Sequence, residues 1–281
     1  MPKGVPRAGF RNSKNRTAQQ AIQHSVGVGV LNFGEEPKPS KFSINERFDF
    51  VCDLVSMLSN GVQPSIIITG EGGLGKTYTV LSTLNKCGYI DISTDDDSDS
   101  IAPNSYRVIK GHSSPKGLYR TLYENRNNVV VFDDCDSVLN DPVSLNLLKG
   151  ALDSYDKRII SWKVDMKDDD LPRSFEFQGR IIFISNRPSS SIDQAILSRS
   201  MTVDLSMTAQ EKIERMYFLL NQPGFMPEYP MDHKKDALAL IENFVDRIKE
   251  LSLRTLISVT KIRFDNPRND WKALAEYTLV G

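Results

Sequence analysis

Eight consecutive residues, Gly70-Glu71-Gly72-Gly73-Leu74-Gly75-Lys76-Thr77, fit the spacing G-x-x-x-x-G-K-[ST] in full. Glycines at these intervals let the backbone bend so that successive N–H groups point inward, a shape suited to a bound polyphosphate. Lys76 would reach the β- and γ-phosphates, and the Thr77 hydroxyl would join a Mg²⁺ shell. The β-branched run 65–69 precedes the loop, and the helical stretch 76–86 follows with Tyr78 in its first turn. A helix N-terminus then adds its positive end to the cradle.

A second constellation lies downstream. Val129-Val130-Val131-Phe132-Asp133-Asp134 reads as a buried strand ending in two carboxylates. Asp133 at the strand tip is placed to hold Mg²⁺, directly or through water. Asp134 is then the candidate to orient and deprotonate an attacking water, with Asp136 in reserve.

These residues need a scaffold, and the pattern around them supplies one. Short β-branched runs at 65–69, 106–110, 129–132, 180–184 and 202–204 alternate with helical stretches at 45–58, 76–86, 116–125 and 144–152. Such βα alternation predicts a parallel sheet of five strands covered on both faces. After Met207 only helical periodicity is found, in Ile213, Met216, Tyr217 and Leu220, then in Leu238, Ile241, Phe244, Val245, Ile248 and Leu251. Further helices are expected over 252–262 and 269–277. The expected organisation is an N-terminal arm (1–40), an α/β domain (41–206) and a small all-α domain (207–281). The two runs at 158–164 and 174–177 alternate like a hairpin around Asp168-Asp169-Asp170. The acidic stretch 95–99 reads as a solvated loop.

Composition narrows the class. Of 281 residues, 40% are hydrophobic, enough for a packed core. No apolar run approaches the ~18 residues that span a bilayer, so no membrane partner is expected. Three cysteines without a CxxC pair point to reduced thiols in a cytoplasm. The formal charge of −1 is unevenly spread. Lys3, Arg7, Arg11, Lys14, Arg16 and Lys38 face only Glu35 and Glu36 in the first forty residues, so a basic arm precedes a mildly acidic body.

From residue 42 to 264 the chain resembles the AAA+ ATPase superfamily. Beyond the two phosphate-site motifs, Ile181-Ile182-Phe183-Ile184-Ser185-Asn186 ends in an Asn similar to the family's sensor 1, which helps position the attacking water. Asp193-Gln194-Ala195-Ile196-Leu197-Ser198-Arg199-Ser200 is similar to the arginine-finger box, in which Arg199 would enter the neighbouring subunit's site. Ser252-Leu253-Arg254 is similar to sensor 2, so Arg254 would contact the nucleotide. Arg180 and Arg187 compete for these arginine roles. The resemblance implies a P-loop three-layer αβα sandwich, a helical lid, ATP and Mg²⁺ as ligands, and a ring-shaped homo-oligomer, most often a hexamer. It also implies adenine as the base, with the backbone at 42–45 as the place to look for its contacts.

Two departures stand out. Asp134 occupies a position where the family most often has glutamate, one methylene longer. The loop Gly111-His112-Ser113-Ser114-Pro115-Lys116-Gly117 lacks the aromatic paddle of protein-threading members. The hairpin at 158–177 resembles one that faces the channel in several helicase and remodelling branches, where Lys163 and Lys167 would meet a phosphate backbone. The expected activity is therefore ATP hydrolysis driving a motor or loading step on DNA or RNA, with the basic arm as the contact. Size and arm suit a phage- or plasmid-type replication or helicase-loading ATPase. The alternatives are a remodelling ATPase with a protein client and a slow nucleotide-held switch.

Overall fold

The computed structural model describes residues 40–94, 104–163, 171–266 and 270–281. The basic arm, the acidic stretches 95–99 and 168–170, and Lys167 lie outside them.

The described chain opens with a reciprocal cap. The Ser43 hydroxyl accepts from the Glu46 N–H, and the Glu46 carboxylate accepts from the Ser43 N–H, which starts α1 (Ile44–Ser59). Then follow β1 (Ser65–Thr69), α2 (Lys76–Lys86), β2 (Ile90–Asp91), β3 (Ser105–Lys110), α3 (Pro115–Glu124) and β4 (Val129–Asp133). A short α4 (Ser137–Asn140) leads to α5 (Pro142–Ala151), strands β5 (Ile159–Ser161) and β6 (Ser174–Glu176), and β7 (Arg180–Ile184). The sheet is completed by α6 (Gln194–Leu197) and β8 (Met201–Asp204). Four longer helices close the chain: α7 (Ala209–Leu220), α8 (Met231–Asn243), α9 (Leu253–Asp265) and α10 (Trp271–Val280).

The main sheet is fully parallel in the order β2-β3-β4-β7-β1-β8. It has six strands, which corrects the expected five. The addition is β2, where Ile90 and Asp91 pair with Ser105 and Tyr106 at the edge. Two exposed residues offer no alternation to read, so this strand is set by the ladder that β3 presents.

Side chains alternate across the sheet. Ile66, Ile68, Val131, Ile182 and Ile184 pack against Phe48, Val51 and Val55 of α1 and Val80 and Leu84 of α2. Ile67, Val130, Phe132, Ile181 and Phe183 pack against Leu118 and Leu122 of α3 and Leu148 of α5. Burial on both faces explains why the strands read as continuous apolar runs. A third core, with Met216, Leu238, Ile241, Leu256 and Trp271, lies among α7 to α10. Within that region the helical period expected through Leu251 breaks earlier, since α8 ends at Asn243 and a short 3₁₀ turn, Val245–Arg247, follows. The described residues from Ser40 onward form one compact unit, sheet and helical region together.

The expected hairpin is present, with Ile160 opposite Phe175 in an antiparallel pair. It packs on α3 and α5. Phe175 meets the rings of Tyr119 and Tyr123, and the Tyr119 hydroxyl donates to the Pro172 carbonyl at 2.7 Å. Val164 of the expected first strand and the connection to 170 lie outside the described residues.

Candidate functional site

Because the sheet is parallel, the loops leaving β1, β4 and β7 emerge along one edge, the carboxyl edge where open α/β sheets bind ligands. The loop after β1 turns through left-handed glycines at Gly73 (φ 73°) and Gly75 (φ 93°) before α2 begins at Lys76. Gly70 has φ 132°, and a Cβ there would stand 2.8 Å from the Leu205 carbonyl carbon, so the loop runs tight against the segment after β8.

Lys76 is buried at the centre of this edge. Its Nζ donates to the carbonyls of Gly70 (2.6 Å) and Glu71 (2.7 Å) and to Asn186 Oδ1 (2.8 Å). The ammonium thus joins the loop after β1 to the tip of β7. Burial pulls its pKa down to about 8, against the opposing pull of Asp134, Asp133 and Glu71. Thr77 Oγ1 donates to Asp133 Oδ1 at 2.8 Å, which joins α2 to the tip of β4. Asp134 follows at φ 54° with its N–H bonded to the Ile184 carbonyl (3.0 Å), and its side chain is exposed at the edge. The reserve carboxylate Asp136 is already engaged, accepting from Ser185 Oγ at 2.8 Å.

The helical region reaches into the same place. Leu253 N–H donates to the Gly73 carbonyl at 3.0 Å, and the start of α9 lies against the loop, with Ser252 Cβ 3.2 Å from where a Gly73 side chain would begin. A cavity of about 610 Å³ results. It is lined by Gly72, Gly73, Leu74, Gly75, Lys76, Thr77 and Tyr78, by Asp133, Asp134 and Asn186, and by Arg254. Tyr78 stands at the rim, 72% exposed. Of the expected cradle, Gly70 and Glu71 contribute carbonyls to Lys76 rather than cavity wall, and the Glu71 carboxylate is paired with Lys212 of α7.

Arg199 is not brought into this cavity. Its guanidinium donates to the Ala195 carbonyl at 2.9 Å, at the end of α6. The competing arginines are occupied elsewhere, Arg180 with the Tyr89 hydroxyl and Arg187 with Asn140. Lys163 is exposed beside Trp162 at the end of the described hairpin strand.

Sequence reasoning missed the far wall. Phe48, Asp49 and Cys52 of α1 line the cavity, one to two turns beyond the 42–45 backbone expected there, and Phe42 instead stacks edge-on with Phe50. Opposite stand Arg215, Phe218 and Leu219 of α7. Arg215 is buried, lies 3.7 Å over the Phe48 ring and donates to Asn45 Oδ1 at 2.8 Å. Burial pulls its pKa down to about 10. One signal was available: Phe218 and Leu219 follow Arg215 at i+3 and i+4, which puts all three on one helix face, apart from the Ile213, Met216 and Leu220 stripe.

The residues suit a triphosphate with Mg²⁺. A hydroxyl and a carboxylate in contact are two hard oxygen donors, and Mg²⁺ takes its remaining ligands from water and phosphate. No cluster of three His, Cys, Asp or Glu side chains is needed for that, and none is found among the described residues. The buried ammonium spends its three donors on neutral acceptors, two main-chain carbonyls and Asn186 Oδ1, and a phosphate oxygen would be a stronger, charged one.

Against known proteins, no family model matches the chain. A protein of Enterobacteria phage T4, described as an uncharacterized 36.7 kDa protein in the nrdC-mobD intergenic region, is 31% identical over 270 residues. The match covers 89% of this chain and 78% of the T4 protein. This chain belongs to the T4 protein's family. Among the described residues of this family member, no helix is long and apolar enough to cross a membrane.

Proposed function

We propose that this chain is an AAA+ ATPase, with a P-loop αβα domain at 41–206 and a helical lid at 207–281. One observation carries the reading: Lys76, Thr77, Asp133 and Asn186 are tied together by hydrogen bonds at the carboxyl edge of the sheet, in a cavity that Arg254 also lines. In this reading Lys76 exchanges its two carbonyl partners for β- and γ-phosphate oxygens of ATP, and the loop N–H groups hold the rest of the chain of phosphates. Thr77 and Asp133 would hold Mg²⁺, which would spread the charge developing on the phosphates. Asn186 orients a water, Asp134 takes its proton, the water oxygen bonds to the γ-phosphorus, and the bridging oxygen leaves with ADP.

Arg199, outside its own cavity, is available to a neighbouring subunit's site. A finger supplied in trans is worth ~10³ to 10⁵ in rate, so a ring homo-oligomer, hexameric in most of the superfamily, is the active form. The work done is a motor or loading step on DNA or RNA through Lys3, Arg7, Arg11, Lys14 and Arg16, in replication or helicase loading. Kinship with a phage protein agrees with a phage-type member and says nothing of the step. A protein client is the competing partner.

The test is phosphate release and ATP affinity for wild type and Lys76→Ala, with and without DNA, beside sizing with and without ATP. Unchanged affinity and turnover in Lys76→Ala would end the ATPase reading. Stimulation by a protein partner but not by DNA or RNA would transfer the work to remodelling. A second reading, a slow nucleotide-held switch, draws on the short reach of Asp134 and the engagement of Asp136 by Ser185. Robust release by wild type would exclude it.

A further inference from the structure

A lysine stands where the divalent cation of the proposed function is to be held. Lys110 ends β3, Asp133 ends β4, and the two are register partners in the parallel ladder. Their side chains therefore leave the same face of the sheet side by side, a placement fixed by the backbone. Lys110 Nζ lies 3.3 Å from Asp133 Oδ2, while Thr77 Oγ1 donates to Oδ1 at 2.8 Å. Both oxygens of the carboxylate already have a donor from the chain.

A cation that binds Asp133 directly must displace one of these donors. Thr77 can remain, because a hydroxyl has lone pairs to offer once its proton turns away. Lys110 cannot, because an ammonium has three donors and no acceptor, and its charge opposes a metal's. Its side chain is 67% exposed against 7% for Asp133, so it can swing out to water while the carboxylate stays fixed. The charges around the site sharpen the point. Lys76 feels Asp133, Asp134 and Glu71 as well as Arg254, and Glu71 is itself paired with Lys212. With Lys110 in place, the carboxylates of this edge are matched by cations, which leaves a bare divalent ion little net negative charge to bind.

We propose that Lys110 is a positioning residue that occupies the metal site in the absence of nucleotide and makes metal entry conditional on a nucleoside di- or triphosphate. The phosphates bring the negative charge that offsets loss of the Lys110–Asp133 pair, so metal and nucleotide enter together. This rests on the reading of Asp133 as a Mg²⁺ ligand. An ordinary surface ion pair at a strand tip would leave metal affinity unmoved when the lysine is removed.

The experiment is titration of Mn²⁺, as a spectroscopic substitute for Mg²⁺, into the full chain followed by electron paramagnetic resonance, with and without ADP. Wild type is compared with Lys110→Met, Lys110→Gln, Lys110→Arg and Asp133→Asn. Removing the charge in Lys110→Met and Lys110→Gln tightens Mn²⁺ binding without nucleotide by roughly three- to tenfold, the scale of a partly screened charge next to a divalent ion. The gain that ADP confers shrinks by the same factor, and Lys110→Arg behaves as wild type. Unchanged or weaker Mn²⁺ binding in both neutral variants overturns the proposal. Binding that Asp133→Asn does not diminish overturns it together with the metal assignment. Tightening in the neutral variants with no nucleotide binding in any variant would sustain Lys110 as an occupant of the metal site and overturn the ATPase reading alone.

Discussion

The main-chain N–H of Leu253 donates to the carbonyl of Gly73, 3.0 Å away, so the first residue of α9 is bonded to the middle of the glycine loop. Proline is tolerated at the first position of a helix, where it removes only that N–H. Ser252 before it is extended (φ −152°, ψ 171°), as a residue preceding proline must be. Leu253→Pro is therefore expected to unfold about 1 kcal/mol more easily than Leu253→Ala, the worth of one hydrogen bond. It should also bind nucleotide more weakly than that control. Chemical denaturation and calorimetric titration check both, and equal values for the two variants would show that the bond does not brace the loop.

Lys76 supplies a pH signature. Its folded pKa of about 8 lies below the ordinary 10.5, so between these values the unfolded chain holds more protons than the folded one. Stability then rises with pH across that window. The cost of burying the ammonium is complete below about pH 8 and gone above about 10.5. Lys76→Met lacks this cost, so its stability relative to wild type should decline from neutrality toward pH 10. Urea unfolding in metal-free buffer measures the difference, and a constant difference would contradict the burial.

Asn186 accepts from Lys76 and lines the cavity beside Asp134. Its removal in Asn186→Ala should lower phosphate release by about 10²- to 10³-fold, as loss of one aligned polar group does elsewhere. ATP affinity should change only a few-fold, because Lys76 and the loop N–H groups still meet the phosphates. A proportionate loss of affinity and turnover would make Asn186 a binding residue instead.

Gly70 leaves no room for a side chain. With φ 132° and a Cβ position 2.8 Å from the Leu205 backbone, Gly70→Ala must move β8 or the loop. A cost of about 2 to 4 kcal/mol follows, seen as a lower melting temperature. Gly111→Ala, where nothing stands within 4 Å but φ is 80°, should cost about 1 kcal/mol.

The motif-bearing elements were legible because their signals are local. The run before Gly70 has three isoleucines in succession and is buried at every position, since both faces of β1 are covered, and Lys76 to Lys86 form α2 as expected. Elements fixed by distant partners were not. The two-residue β2 has no pattern of its own, and the period through Leu251 hid the break after Asn243. Tyr106 and the hairpin show the intermediate case, where strand character is readable but the surface it packs on is not.

For the site, the chain by itself determined the donors: a glycine loop, a lysine, a hydroxyl and carboxylates at strand tips, each required by the chemistry of phosphate and by the bends around it. Which of them touch was decided only by folding. The Thr77–Asp133 and Lys76–Asn186 bonds join residues 56 and 110 positions apart, and exist because β4 and β7 lie beside one another with β1 next in line. The same holds for Arg215 over Phe48 and for Lys110 beside Asp133. A side chain's type fixes what it can bind, while the order of strands and the packing of helices fix what stands within its reach.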